Sequence, residues 1–204
     1  MTMKTQESIK LNDLVLDRIQ RSIEVKQALL SDATFCELVA QAAMQIVKSL
    51  RAGGKVLFFG NGGSAADAQH LAAEFTGRYL KERRALPALA LHGNSSAVTA
   101  IGNDYGFEFV FARQMEALGQ AGDVAVGIST SGNSPNVLRA LEVARSKGIY
   151  TVTLTGASGG AMKKEADCAL CIPSEETPRI QECHILAGHI ICEIAEEMLF
   201  AAPE

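Results

Sequence analysis

The segment Lys55-Val-Leu-Phe-Phe-Gly-Asn-Gly-Gly-Ser64 decides the fold, because it joins an apolar strand to a helix through a glycine-rich turn. The apolar residues 56–59 predict a short buried strand. Residues 60–63 then allow a tight turn whose backbone can approach a ligand closely. We expect Ser64 to cap the following helix, so that free N–H groups and the positive end of the helix dipole face the turn. Such a turn is a binding site for anions.

Strands and helices alternate along the remainder of the chain. Short apolar runs predict five strands, at residues 56–59, 87–91, 124–128, 150–155 and 168–172. Helices are predicted from about Ser64, Ser95 and Ser134, with a short helix before the fifth strand and a long one from about Pro178 to Phe200. This interleaving predicts an α/β fold, a doubly wound and mostly parallel sheet with helices on both faces. Ligands of such sheets bind beyond the carboxyl ends of the strands.

Two further helices are predicted before the first strand. A first apolar pattern comprises Leu16, Ile19, Ile23 and Leu30, and a second begins after Ser31-Asp32 and stops at Gly53-Gly54. The apolar faces are broader than one sheet edge could cover, so we expect these helices to be used in oligomerisation. The chain is predicted to be one domain of residues 1–204, with the N-terminal helices in 1–52 and the sheet core and C-terminal helix in 53–204.

Composition limits the classes of function. The chain has 204 residues, of which 48% are apolar and 21% charged, and a net charge of −4. The acidic balance argues against a nucleic-acid partner, and the small basic cluster of Lys81, Arg83 and Arg84 is expected in a solvated loop. No apolar run is long enough to span a membrane, and the first ten residues lack the apolar stretch of a signal peptide. We therefore expect a cytoplasmic protein with no membrane partner.

The five cysteines are predicted to be reduced thiols, because their number is odd and no secretory signal is recognised. Cys168 and Cys171 have the spacing of a CxxC pair. They lie in a predicted strand, however, where residues three apart face opposite sides. We therefore predict neither a metal site nor a redox role for them.

A second polar loop follows the third predicted strand, in Gly127-Ile-Ser-Thr-Ser-Gly-Asn-Ser-Pro-Asn-Val137. Residues 129–134, here called the hydroxyl loop, contain Ser129, Thr130, Ser131 and Ser134. Ser134 is predicted to be the N-cap and Pro135 the first residue of the next helix. Hydroxyl and N–H donors suit a phosphate monoester. Ordinary turns formed by serine and threonine are the alternative, but two such loops in one parallel sheet favour phosphate.

A dinucleotide site is a competing interpretation of the first turn. Gly60 and Gly62 resemble the start of a GxGxxG sequence, and Ala65 stands at its third position. The second strand, however, ends in Leu-His-Gly-Asn at residues 91–94, without the acidic residue that binds a ribose hydroxyl. Nucleotide binding is therefore disfavoured.

Candidate acid–base and metal-binding residues lie on two of the predicted helices. His70 and Glu74 share one helix face, where the simpler alternative is a surface ion pair. The C-terminal helix carries Gln181, His184 and His189 among apolar residues, and with the first pair these could form the nitrogen and oxygen site that Zn²⁺ accepts. Spacing favours His184 over His189 as a neighbour of Gln181, because Gln181 and His189 are separated by a rise of about 12 Å.

Three segments resemble the phosphoheptose isomerases of the sugar-isomerase (SIS) superfamily. They are GNGGSAADAQHLAAEFTGRY at residues 60–79, GNDYGFEFVFARQMEALGQAGDVAVGISTSGNSPNV at residues 102–137 and RIQECHILAGH at residues 179–189. The similarity extends over nearly the whole chain. It implies a cytoplasmic bacterial homotetramer that converts D-sedoheptulose 7-phosphate to D-glycero-D-manno-heptose 7-phosphate. That reaction is the first step towards ADP-heptose for the lipopolysaccharide core.

The resemblance also implies roles for individual residues. It places one zinc ion per subunit on His70, Glu74, Gln181 and His189, with Glu74 and Gln181 also touching the substrate. We assign Glu74 and His189 as the acid–base pair of the proton transfer through an enediol, and His184 as a packing residue. The residues that match the family's sugar-phosphate contacts are Asn61, Gly62, Gly63, Asn103, Asp104, Ser129, Thr130, Ser131 and Ser134, and Ser64 joins them by its position in the turn.

Two alternatives belong to other classes of function. A non-catalytic SIS tetramer that binds the bacterial replication initiator protein resembles this chain over its full length, but it lacks the acid–base pair that Glu74 and His189 supply here. A sugar-phosphate-sensing regulator would need a DNA-binding segment, and none is recognised. The chain also departs from some family members, because Thr177-Pro178 stand where those have an acidic residue. A catalytic contribution from a carboxylate at that point is therefore not predicted.

Overall fold

The computed structural model describes the backbone of residues 3–201 and the side chains of residues 10–201. The helices are α1 (Met3–Leu30), α2 (Ala33–Arg51), α3 (Gly63–Thr76), α4 (Ser95–Tyr105), α5 (Ala112–Leu118), α6 (Pro135–Ser146), α7 (Met162–Glu165) and α8 (Thr177–Phe200). The strands are β1 (Val56–Gly60), β2 (Ala88–Ala90), β3 (Val124–Ser129), β4 (Tyr150–Thr155) and β5 (Cys168–Cys171). Residues 1–2 and 202–204 of the predicted domain lie outside the described residues.

The strands form one parallel sheet in the order β2-β1-β3-β4-β5, which confirms the predicted fold class. Phe58 in β1 is in register with Ala90 of β2 on one side and with Val126 of β3 on the other. Parallel neighbours need crossover connections, and the helices between the strands provide them. The direction of the strand order reverses between β1 and β3. The loops that follow these two strands therefore border the crevice where such sheets bind ligands.

The side chains of each strand alternate between two apolar layers. Val56 and Phe58 belong to the layer under α2, α3 and α8, whereas Leu57 and Phe59 belong to the layer under α5 and α6. All residues of β1 are buried, because helices cover both faces of the sheet. This double coverage explains why the strand sequence is continuously apolar rather than alternating.

The two N-terminal helices are separated at residues 31–32, as predicted. Asp32 caps α2 by accepting a hydrogen bond of 3.0 Å from the backbone N–H of Phe35. Buried side chains of α2, among them Val39 and Ile46, pack onto the sheet through the first apolar layer. Within residues 3–201, no helix is long and apolar enough to cross a membrane.

The apolar residues of helix α1 from Leu11 to Ile23 face outward, whereas Leu29, near the end of the helix, is buried in the core. Leu16, Ile19 and Ile23 are 64%, 53% and 42% exposed. Arg21 forms an ion pair of 3.0 Å with Glu176, beside the start of α8. Apolar side chains in such a row are expected to be covered by another protein surface.

The start of α3 differs from the prediction. The helix begins at Gly63 with Gly62 as N-cap, and Ser64 is therefore not the capping residue. Gly62 has a φ of +55°, a backbone conformation that glycine adopts at little cost, so the turn ends before the serine is reached. Ser64 lies buried in the first helical turn. Free N–H groups of that turn still face the ligand edge of the sheet.

The segment between β2 and β3 contains more helical elements than the sequence predicts. The expected helix from Ser95 ends at Tyr105, and a 3-10 turn (Phe107–Phe109) and α5 follow it. Gly106, with a φ of +97°, ends the first helix. Asn103 and Asp104 lie in the last turn of this helix.

The prediction of a solvated basic loop is wrong for Arg83. Its side chain is 2% exposed and forms an ion pair of 2.9 Å with an equally buried carboxylate, that of Glu196. The two residues are 113 positions apart, so local composition could not reveal the pairing. Lys81 and Arg84 are more exposed, and Lys81 pairs with Glu197 at 3.0 Å.

Two loops at the carboxyl edge of the sheet interlock through glycines. Gly132 of the hydroxyl loop lies against the carbonyl of Gly159, in the loop after β4, with no room for a Cβ between them. The backbone N–H of Met162 donates to the carbonyl of Gly132 at 3.0 Å. The loop after β4 therefore fixes the position of the hydroxyl loop.

We expect Gly132→Ala to destabilise the protein more than Gly53→Ala. Both glycines have positive φ, +66° and +83°, but no atom lies within 4 Å of a Cβ placed at Gly53. The left-handed backbone costs about 1–2 kcal/mol at either position, and overpacking adds about 1–3 kcal/mol at Gly132 alone. Urea unfolding measures the two losses. Equal losses would show that the two loops are not in contact.

Candidate active site

The loops after β1 and β3 are joined by a pair of asparagines. The side-chain amides of Asn61 and Asn136 each donate to the carbonyl oxygen of the other, both at 2.9 Å. Asn136 is buried in the first turn of α6, so this double hydrogen bond fixes the glycine turn beside that helix. Asn61 keeps a second amide proton free for the predicted substrate contact.

Three hydroxyls of the hydroxyl loop converge at the end of β3. The Oγ of Ser129 lies 2.8 Å from that of Ser134 and 3.3 Å from that of Ser131. Helix α6 begins at Pro135 with Ser134 as N-cap, as predicted, although the serine side chain does not bond to the helix backbone. Hydroxyl donors are therefore grouped at the start of a helix, which suits an anion.

A cleft of about 300 Å³ opens beside the hydroxyl loop, large enough for a sugar phosphate. Thr130 and Ser131 form one wall. The other walls come from the loop after β4 and from the start of α8, which sequence reasoning missed; they are Gly156, Ala157, Ser158, Ser174, Glu175, Thr177 and Ile180. The sequence Gly-Ala-Ser-Gly-Gly at residues 156–160, directly after a strand, was a signal that could have identified the second wall.

Helices α3 and α8 run side by side in the same direction, in close contact. The side chain of Gln181 lies against Gly63, so closely that a Cβ on the glycine would overlap its amide. Further along, a Cβ on Gly188 would come within 2.7 Å of both methyl groups of Leu71. Glycine at one position of each helix therefore permits the approach that brings their polar faces together.

Three potential ligand residues, His70, Glu74 and His189, meet between these helices and are called the triad below. Nε2 of His70 lies 2.9 Å from Nε2 of His189 and 3.1 Å from Oε1 of Glu74. The ligand atoms of all three lie within 4.8 Å of one another. The His70 side chain is 50% exposed and that of Glu74 is 22% exposed, so solvent and ligands can reach the triad.

The triad fits the donor set of a zinc ion. Two imidazole nitrogens and one carboxylate oxygen are the ligands of many catalytic zinc sites, which keep a further position open. A tetrahedral ion with bonds of about 2.0–2.1 Å holds its donor atoms about 3.3 Å apart. The observed separations of 2.9 and 3.1 Å are close to this spacing.

The remaining predicted residues do not join the triad within one chain. Gln181 lies beside Gly63, two helical turns or about 10 Å before His70 along α3. Asn103 and Asp104 are exposed and bond to each other at 2.8 Å. Among the described side chains, these two neither line the cleft nor belong to the triad. The cleft, with Gln181 nearby, and the triad are called the two half-sites below, and Gln181 lies about two helical turns from the triad.

His184 lies away from both half-sites. It is fully buried, and its Nε2–H donates to the carbonyl of Thr155 at 3.1 Å, at the end of β4. Burial lowers the pKa of His184 to about 4, although the hydrogen bond to Thr155 opposes the shift. A neutral, buried imidazole in this position connects α8 to the sheet. The preference for His184 that spacing suggests is therefore not supported by its location.

Comparison with known proteins identifies the family. The model of the SIS domain family matches residues 24–156. A phosphoheptose isomerase of Aneurinibacillus thermoaerophilus is 52% identical over 190 residues, which are 93% of this chain and 96% of that protein. Another, from Pelobacter propionicus, is 54% identical over 92% of this chain and all of that protein.

A solved structure agrees with the sequence comparison. The phosphoheptose isomerase GmhA from Neisseria gonorrhoeae superimposes with a TM-score of 0.86 at 45% identity, over 92% of this chain and 99% of that one. Near-complete coverage in both directions shows that the similarity includes the helices of the triad and the loops of the cleft. The chain therefore belongs to the SIS domain family and, within it, to the phosphoheptose isomerases.

Proposed function

We propose that this protein is the aldose–ketose isomerase that converts D-sedoheptulose 7-phosphate to D-glycero-D-manno-heptose 7-phosphate, the first step of ADP-heptose biosynthesis. The observation that carries the proposal is the convergence of Glu74, His70 and His189 between α3 and α8. The relatives named phosphoheptose isomerase, at 52–54% identity over nearly their whole length, support the same activity.

The reaction needs two proton movements. In the direction from ketose to aldose, one proton leaves C1 of the ketose and is returned at C2 through an enediol, and another passes between the two oxygens. Glu74 is assigned to the carbon-bound proton, because a carboxylate in a partly buried position can accept and return it. His189 is assigned to the oxygen-bound proton, since an imidazole has two ring nitrogens that can donate or accept a hydrogen bond.

The proposed metal is one Zn²⁺ per subunit. His70, Glu74 and His189 would hold it, with Gln181 as the additional oxygen ligand. The bound ion would supply Lewis-acid polarisation of the substrate carbonyl. Glu74 would then serve both as a ligand and as a proton carrier, so its carboxylate has to be placed accurately.

The phosphate is assigned to the cleft beside the hydroxyl loop. Ser129, Thr130, Ser131 and Ser134 are the proposed donors, and Ser64 and the glycine turn complete the grip through backbone N–H groups at the start of α3. These contacts are remote from C1 and C2, so they orient the reacting end of the sugar without taking part in proton transfer. Asn61, Gly62, Gly63, Asn103 and Asp104 are proposed to contact the sugar.

The two half-sites are proposed to come together in a homotetramer. In one chain Gln181 lies beside Gly63, about 10 Å along α3 from the triad, so the assigned fourth ligand is not next to the other three. The exposed row of Leu16, Ile19 and Ile23 on α1 supports association between subunits. A cleft of one subunit facing the triad of another would place Gln181 and His189 at a single ion.

The cytoplasmic location of the protein stays a prediction.

We expect Glu74→Gln and His189→Ala to lower kcat by about 10²–10⁴-fold, as for the loss of a positioned acid or base. A coupled assay with saturating sedoheptulose 7-phosphate measures the turnover. Glu165→Gln is the control, since its carboxylate pairs with Arg145 on the surface at 2.6 Å and should not matter. Turnover near that of the parent in both variants would contradict the assignment and favour the tetramer that binds the replication initiator protein.

We expect Gly63→Ala to reproduce the effect of Gln181→Ala. The added methyl group would occupy the place of the Gln181 amide, which is a flexible end and can move without unfolding the helix. Both variants should lose about 10–100-fold in kcat/KM, the usual effect of disturbing a metal ligand's surroundings. The kcat/KM of the double variant should be no lower than that of Gln181→Ala, because both changes disturb the same contact of Gln181. Additive losses would show that Gly63 does not act through Gln181.

A further inference from the structure

The guanidinium of Arg83 occupies the C-terminal end of α3. Its Nη2 donates to the carbonyl of Glu74 at 2.7 Å, and its Nη1 donates to the carbonyls of Phe75 at 2.9 Å and Gly77 at 3.1 Å. The last carbonyls of a helix have no partner within the helix, and they attract positive charge. The buried arginine therefore supplies hydrogen-bond donors to the last carbonyls of the helix, including that of Glu74.

The carboxylate of Glu196 holds this arginine and the loop around it. Oε1 accepts from Nε of Arg83 at 2.9 Å and from the N–H of Tyr79 at 3.1 Å. Oε2 accepts from the N–H groups of Leu80 and Lys81, both at 2.7 Å. Burial alone would raise the pKa of Glu196, but the hydrogen bonds from Lys81, Leu80, Tyr79 and Arg83 together lower it. The carboxylate is therefore charged and fully paired.

This buried pair connects the two helices that carry the triad. Glu196 follows His189 by seven residues, two turns along the same face of α8. Arg83 is bonded to the backbone of Glu74 itself. The loop that Glu196 holds also places the ring of Tyr79 at 5.9 Å from the ring of His189. One ion pair thus joins the backbone of one triad residue to the helix of another.

We propose that Arg83 and Glu196 are positioning residues for Glu74 and His189. The pair sets the distance between the ends of α3 and α8, and so the separation of the ligand atoms. Neither Arg83 nor Glu196 touches the substrate or the metal directly. The inference rests on the proposed function for its kinetic readout, and the affinity for Zn²⁺ tests it independently of turnover.

A second buried carboxylate offers a matched control. Asp123 accepts from the backbone N–H groups of Lys55 and Gln120, at 2.9 and 2.8 Å, and pairs with the Lys55 ammonium at 2.7 Å. Its side chain is 2% exposed, like that of Glu196. Asp123 precedes β3 and Lys55 precedes β1, so this pair lies at the amino edge of the sheet, opposite the ligand edge. Asp123→Asn and Glu196→Gln make the same chemical change in similar surroundings.

The experiment compares Glu196→Gln, Arg83→Lys and Asp123→Asn as full-length chains. Affinity for Zn²⁺ is measured on metal-free protein by chelator competition, and kcat and KM are measured on the zinc-loaded enzyme. Thermal unfolding monitors the fold. We expect Glu196→Gln and Arg83→Lys to bind Zn²⁺ about 10–100-fold more weakly and to lose a similar factor in kcat, with KM changed much less. Arg83→Lys keeps the charge but loses the planar fork that reaches several carbonyls.

The control separates positioning from stability. Asp123→Asn should lower the unfolding temperature by as much as Glu196→Gln while leaving Zn²⁺ affinity and kcat unchanged. Parent-like affinity and kcat in a folded Glu196→Gln variant would overturn the proposal. A parent without isomerase activity would contradict the proposed function, and the Zn²⁺ affinities would still decide the role of the pair.

Hydrogen exchange on the metal-free parent gives a test that needs no variant. The N–H groups of Tyr79, Leu80 and Lys81 are bonded to Glu196, so they should exchange as slowly as those in the centre of α3. Fast exchange of these three amides would mean that the loop opens freely, and would overturn the proposal even if the variants fail to fold.

Discussion

The close parallel contact of α3 and α8 is the constraint on which the site depends. Glycine at position 63 on one helix and position 188 on the other leaves room for Gln181 and Leu71, so the two helices can approach along two turns. Only this approach brings imidazole nitrogens from separate helices to 2.9 Å. The buried ion pair of Arg83 and Glu196 links the C-terminal end of α3 to α8. The sheet supports both helices through the apolar core, and the two helices carry the residues of the triad.

The sequence predicted the sheet well, because buried strands and capped helices leave local patterns. Tyr150–Thr155 is predicted with its observed bounds, and Asp32 and Pro135 mark helix starts correctly. Ser64 was misassigned as a cap because a positive φ at Gly62 ended the turn earlier, and such backbone angles are not visible in a pattern of residue types. The buried state of Arg83 was missed for another reason. Its partner is remote in sequence, and only the folded chain brings the two charges together.

The candidate site was predicted residue by residue but not as an arrangement. His70, Glu74 and His189 converge, although helical spacing alone favoured His184, which proves to be bonded to Thr155 in the core. Spacing within one helix says nothing about which face meets a neighbouring helix. Gln181 and the triad also lie about two helical turns apart within one chain. Residue types could indicate a phosphate site and an acid–base pair, but the offset of Gln181 from the triad required the structure.

The central claim is that the cleft of one subunit works with the triad of another, and mixed oligomers test it most directly. Ser131→Glu places a negative charge in the phosphate cleft at an exposed position, and Glu74→Gln disables the triad, so each homo-oligomer should be inactive. Co-expression with different tags yields oligomers that contain both chains. If the site is shared, about a quarter of the sites in a random mixture combine two intact half-sites, and activity returns to that extent. If mixed oligomers are as inactive as the two homo-oligomers, each chain carries its own complete site and the claim is wrong.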